Sequence, residues 1–125
     1  MTIKSKLTGT GTAPANAQMV VGTVNSSEAG AGTTNADATV LSLDDIHYIS
    51  TAANNSGVKL PATLSAGDSM VISNMDANTL LLYPPTGGKL NEGTATTGTV
   101  SIATKTNVQA ICINGLNFVV LGPST

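Results

Sequence analysis

The chain has 125 residues, of which 41% are hydrophobic and 10% charged, with a formal net charge of −2. That length suits one domain with a single core, and the hydrophobic share excludes an acidic disordered chain. The near-neutral balance leaves no basic footprint for nucleic acid, and no apolar run is long enough to span a bilayer, so neither is expected as a partner.

Residues 1–38 are rich in Gly, Ala, Thr and Asn and read as an N-terminal arm. The opening Met1-Thr2-Ile3-Lys4-Ser5-Lys6-Leu7 has two lysines but no apolar run behind them, so no signal peptide is expected. Pro14 to Gly22 suits a short helix over 14–21, with Pro in the first turn and Gly22 stopping it. Residues 26–38 carry no periodic apolar signal and predict a loop or a loosely held strand. An arm that buries little of its own surface is either mobile or ordered by a partner. Its apolar residues Ile3, Leu7, Met19, Val20 and Val21 are the expected partner contacts.

Residues 39–125 predict an all-β domain of short strands punctuated by turns, a compact β-sandwich or jelly-roll-like module. Thr39 to Leu43 alternates until Asp44-Asp45 breaks it, and Ile46 to Thr51 is β-rich up to Asn54-Asn55-Ser56-Gly57. Val58-Lys59-Leu60 is cut by Pro61, and Ala66-Gly67-Asp68 makes the next turn. Ser69–Asn74 and Thr79–Tyr83 flank Met75-Asp76-Ala77-Asn78, which reads as a four-residue hairpin loop. Pro84-Pro85-Thr86-Gly87-Gly88 interrupts any ladder.

Asn114-Gly115 then separates Asn107–Ile113 from Leu116–Leu121 and suits a type I′ turn. That turn would pair Ile113 with Leu116, Ile111 with Phe118 and Gln109 with Val120. Val108, Ala110, Cys112, Val119 and Leu121 then share the second face, which is the expected subunit-packing surface. A lone sheet wets one face, so a ribbon apolar on both sides implies another layer, preferably a neighbouring subunit. Only five lysines and no arginine are available to protect strand edges, which also favours assembly.

No catalytic constellation emerges, so the chain is not expected to be an enzyme and no cofactor is implied. His47 is the only histidine and reads as lying on the wetter face of a strand. Asp44, Asp45, Asp68 and Asp76 have turn explanations. Cys112 is the only cysteine, so no Cys-based metal site or intramolecular disulfide is possible. Gly87-Gly88-Lys89 fails the phosphate-loop pattern, with Tyr83 where Gly is required and Leu90 after the lysine.

Several stretches together resemble small virion structural proteins of tailed bacteriophages. They are Gly57-Val58-Lys59-Leu60-Pro61, Ala66 to Asn74, Ala77 to Pro85, Gly87-Gly88-Lys89-Leu90-Asn91 and the closing hairpin, with Met1 to Gly9 and Ala29 to Thr34 before them. The resemblance implies a trimeric capsid decoration or cement protein, made in the host cytoplasm and carried on the capsid exterior. Its partners would be further copies of itself, as a homotrimer, and the major capsid protein. The absence of a fibre repeat or coiled-coil heptads favours a head-surface component over the alternative, a tail-fibre or spike module binding a host glycan or protein.

Overall fold

The computed structural model describes residues 23–122. Their ten strands are β1 (Val24–Ala29), β2 (Thr39–Val40), β3 (Ile46–Thr51), β4 (Ser56–Lys59), β5 (Ser69–Asn74), β6 (Leu80–Tyr83), β7 (Lys89–Leu90), β8 (Val100–Ile102), β9 (Thr106–Asn114) and β10 (Asn117–Leu121). The fold is all-β. A six-stranded sheet has the order β1-β3-β5-β9-β10-β7, and a four-stranded sheet the order β2-β4-β6-β8.

From β1 to β6 the chain alternates between the two sheets, and like-placed strands of successive turns pair in parallel. Val24 lies beside Ile46, 22 residues on, and Ile46 beside Val71, 25 residues on. Each turn of chain therefore lays one strand on each sheet, which is a β-solenoid. The antiparallel strands β8 and β9 terminate the parallel stacks, and β10 joins β9 to β7.

Two facing sheets do enclose a common core, but the expected sandwich or jelly roll is corrected by this winding, because a jelly roll is built from antiparallel pairs. The segment 75–78 shows why. Instead of a hairpin loop, it is a corner carrying the chain from β5 in one sheet to β6 in the other. Asn74 is wholly buried there. Its amide donates to the carbonyls of Asn78 at 2.8 Å and Ile102 at 2.9 Å, and its Oδ1 accepts the Asp76 N–H at 3.2 Å. The Asn78 amide reaches back to the Ala52 carbonyl, at 2.9 Å, in the previous turn of the solenoid. With both ends of the corner satisfied, β6 pairs with β4 and β8 rather than folding back on β5.

Part of the segment expected as an arm is built into the sheets. Residues 24–38 belong to the first turn of the solenoid, where β1 pairs with β3 and the Ala31 backbone exchanges hydrogen bonds with Gly57. Asn35, buried, donates to the carbonyls of Pro84 and Thr96, each at 2.8 Å, and the Tyr83 hydroxyl donates to the Thr33 carbonyl at 2.9 Å. These polar anchors replace the apolar periodicity whose absence made the segment read as a loop or a loosely held strand. The expected helix over 14–21 lies outside the described residues.

The core is filled from both sheets by Leu41, Ile49, Val58, Leu60, Met70, Ile72, Leu80, Leu82, Ile102, Val108, Ala110, Cys112 and Phe118. Strand β5 shows the rule, with Met70, Ile72 and Asn74 inside and Ser69, Val71 and Ser73 half-buried on the other face.

Candidate interaction surface

Alternation along each strand sends half of the six-stranded sheet's side chains away from the core. On β3, His47 and Ile49 point inward, and Ile46 and Tyr48 outward. Pairing registers extend that phase across the sheet: Val24, Ile46, Val71, Gln109 and Leu121 form one transverse row, and Ser69, Ile111 and Val119 the next. Several side chains of this face are open to solvent, with Val24 at 57%, Tyr48 at 44%, Ile113 at 51% and Leu121 at 49% exposure.

The six strands carry only two formally charged residues besides His47. Glu28 reaches toward His47 in the interior, and Lys89 sits on the edge strand β7. The outer face is thus built from Val, Ile, Leu, Tyr, Ser, Asn and Gln. Scattered exposed apolar residues are ordinary. A registered set across five strands with no ion among them is not, and such patches mark surfaces that pack against something.

The closing ribbon contributes most of this face, by a register that differs from the expected one. Asn114 pairs with Asn117 across a Gly115-Leu116 turn, and a shift between Asn117 and Phe118 then sets Phe118 opposite Cys112 and Val119 opposite Ile111. Asn114 is not left-handed while Gly115 has φ 63°, so the glycine alone supplies the positive φ and a type I′ turn does not form. A one-residue slip exchanges faces. Of the expected subunit-packing set, Val108, Ala110 and Cys112 are therefore buried in the protomer's own core, and only Val119 and Leu121 face outward. They are joined there by Ile111 and Ile113. The other expected contacts, Ile3, Leu7, Met19, Val20 and Val21, lie outside the described residues.

His47 is fully buried, contrary to its expected place on the wetter face. Ile46 and Ile49 have opposite parity, so alternation alone left the phase of the strand undecided. The imidazole Nε2 lies 2.9 Å from the Asp44 carbonyl oxygen, an acceptor that places a proton on that nitrogen. Its Nδ1 lies 3.6 Å from the Glu28 carboxylate. Both ring nitrogens face acceptors, and no hydroxyl or thiol among the described residues is hydrogen-bonded to either.

A cleft of about 230 Å³ opens where Leu43, Asp44, Asp45, Asp68 and Met70 meet. Its carboxylates are occupied by local structure. Asp44 accepts the Ser42 hydroxyl at 2.6 Å, Asp45 the Thr23 N–H at 3.0 Å, and Asp68 the Ser65 N–H at 2.9 Å. The Ser42 hydroxyl, followed by that of Thr23, holds the Asp44 carboxyl below its ordinary range. No group of three His, Cys, Asp or Glu side chains among the described residues is placed to hold a metal ion.

No protein-family model matches the chain, and no curated protein matches its sequence. The outer sheet face is consequently the feature on which a functional reading rests.

Proposed function

We propose that the chain is a structural component of a bacteriophage particle, decorating and stabilising the outer surface of the capsid shell. Protomers associate through the outer face of the six-stranded sheet, as a homotrimer, and the assembly docks on the major capsid protein. The observation that carries this reading is the uncharged apolar face running from Val24 to Leu121. The likeness of the Gly57–Pro85 stretches and the closing ribbon to small phage virion proteins supplies the particle. A protein that binds the assembled shell but not its free subunits stabilises the shell by mass action, with no chemistry required.

The test is a charge placed on the outward side of β10. Val119→Glu with Leu121→Glu should leave the fold intact, because both side chains are solvent-exposed, yet give a monomer by light scattering and particles without decoration. Full decoration by the double variant would falsify the reading.

One observation favours the second reading, a tail-fibre or spike module. The solenoid stacks turns of 22 and 25 residues without any repeated sequence, and stacked turns elongate naturally along one axis. Antibody labelling of intact particles separates the two, marking the head in one case and the tail tip in the other.

A further inference from the structure

We propose that Asn114 is a spontaneous deamidation site, and that its conversion weakens association through the outer sheet face. The second half rests on the assembly reading above; the first does not. Asn114-Gly115 is the only Asn-Gly pair in the chain, and the structure exposes it at the tip of the β9–β10 ribbon. The Gly115 N–H is absent from the backbone hydrogen bonds of the described turns and loops, and the turn is closed by the Leu116 N–H donating to the Asn114 carbonyl. Apart from its chain neighbours, nothing lies within 4 Å of where a Gly115 side chain would begin, so no other part of the fold crowds the turn.

The reaction uses only these two residues and water. The Gly115 nitrogen, as its proton leaves to solvent, attacks the side-chain carbonyl carbon of Asn114. The new N–C bond closes a five-membered imide, and the C–NH2 bond breaks to release ammonia. Water then opens the imide at either carbonyl, giving aspartate or isoaspartate, so one water is consumed and one ammonia leaves. Glycine has no Cβ to obstruct the ring or resist the rotation that forms it. Asn107 and Asn117 provide the contrast, since each precedes a buried bulky residue, Val108 or Phe118, where Asn114 precedes glycine.

The product is a carboxylate between Ile113 and Leu116, which are 51% and 40% exposed. Packing that tip against a second copy then requires desolvating an ion where there was none. Conversion thus acts as a slow timer on assembly.

The folded chain of residues 1–125, aged at mildly alkaline pH and cut at lysine, yields one peptide, residues 106–125, that contains all three asparagines. Mass spectrometry should show acid accumulating at Asn114 many-fold faster than at Asn107 or Asn117. Equal rates at the three positions would overturn the chemistry. For the consequence, Asn114→Asp should dissociate at several-fold higher concentration than Asn114→Gln in light scattering. Identical dissociation of the two variants overturns the timer. A wild-type protein that is monomeric at every concentration overturns the timer and the assembly reading together, and the mass spectra still decide the deamidation independently.

Discussion

Single residues hold this fold where its chain changes direction. Asn74 has no apolar contribution to make, yet it is among the most buried side chains because its amide ties β5, the 75–78 corner and the end of β8 together. Asn74→Leu would strand the Ile102 and Asn78 carbonyls and should cost about 2–4 kcal/mol in a urea titration. Asp37 works similarly on the surface, accepting the Thr34 hydroxyl and the backbone N–H groups of Thr33 and Thr34. The Thr34 hydroxyl is the foremost cause holding its carboxyl below the ordinary value of 3.8. Because the folded value is the lower one, this contribution is complete above the unfolded carboxylate range and is lost as pH falls through the depressed folded value. Asp37→Asn should therefore flatten the acid limb of the stability curve and leave the neutral region's slope unchanged, as read from denaturation midpoints against pH. Gly88 has a steric role: a Cβ there would collide with the Leu116 backbone carbonyl, so Gly88→Ala should loosen the β7–β10 junction.

Individual elements were legible in the sequence wherever local pattern decides them. The runs 46–51 and 69–74 coincide with β3 and β5 because short β-rich apolar runs between turn formers specify a strand without reference to its partner. What alternation does not specify is which strand lies alongside. A period of two looks the same in a hairpin and in a solenoid turn, so 69–74 and 79–83 read as hairpin partners although they occupy opposite sheets. Phase was similarly open in β3, where the burial of His47 follows from Ile49 facing the core. Core positions should respond accordingly. Ile72→Ala, at a side chain with no exposure, should cost about 2–5 kcal/mol, measurable in chemical denaturation, whereas Val119→Ala on the outer face should change stability by less than about 0.5 kcal/mol.

At the scale of the whole molecule, solubility and assembly pull against each other. A six-stranded sheet whose outer face lacks ions has little to deter packing, and the closing ribbon exposes Ile113, Leu116, Val119 and Leu121. Self-association should therefore be only weakly sensitive to salt, since no ion pairs lie across the face. Light scattering across a salt series should show the same mass at low and high ionic strength, and dissociation by moderate salt would mean that some other, charged surface holds the copies together.

The amino-acid sequence by itself determined that the chain is all-β, where its central strands run, that ions are scarce and that the last ribbon is strongly apolar. These are properties of residues one to four positions apart and of bulk composition. Only the tertiary structure decided that the strands wind in parallel, that residues 24–38 complete the first turn, and which side of the ribbon meets water. Those outcomes depend on pairings between residues 20 or more positions apart and on a one-residue register at Gly115, where small differences in corner and turn bonding choose among arrangements with the same local pattern.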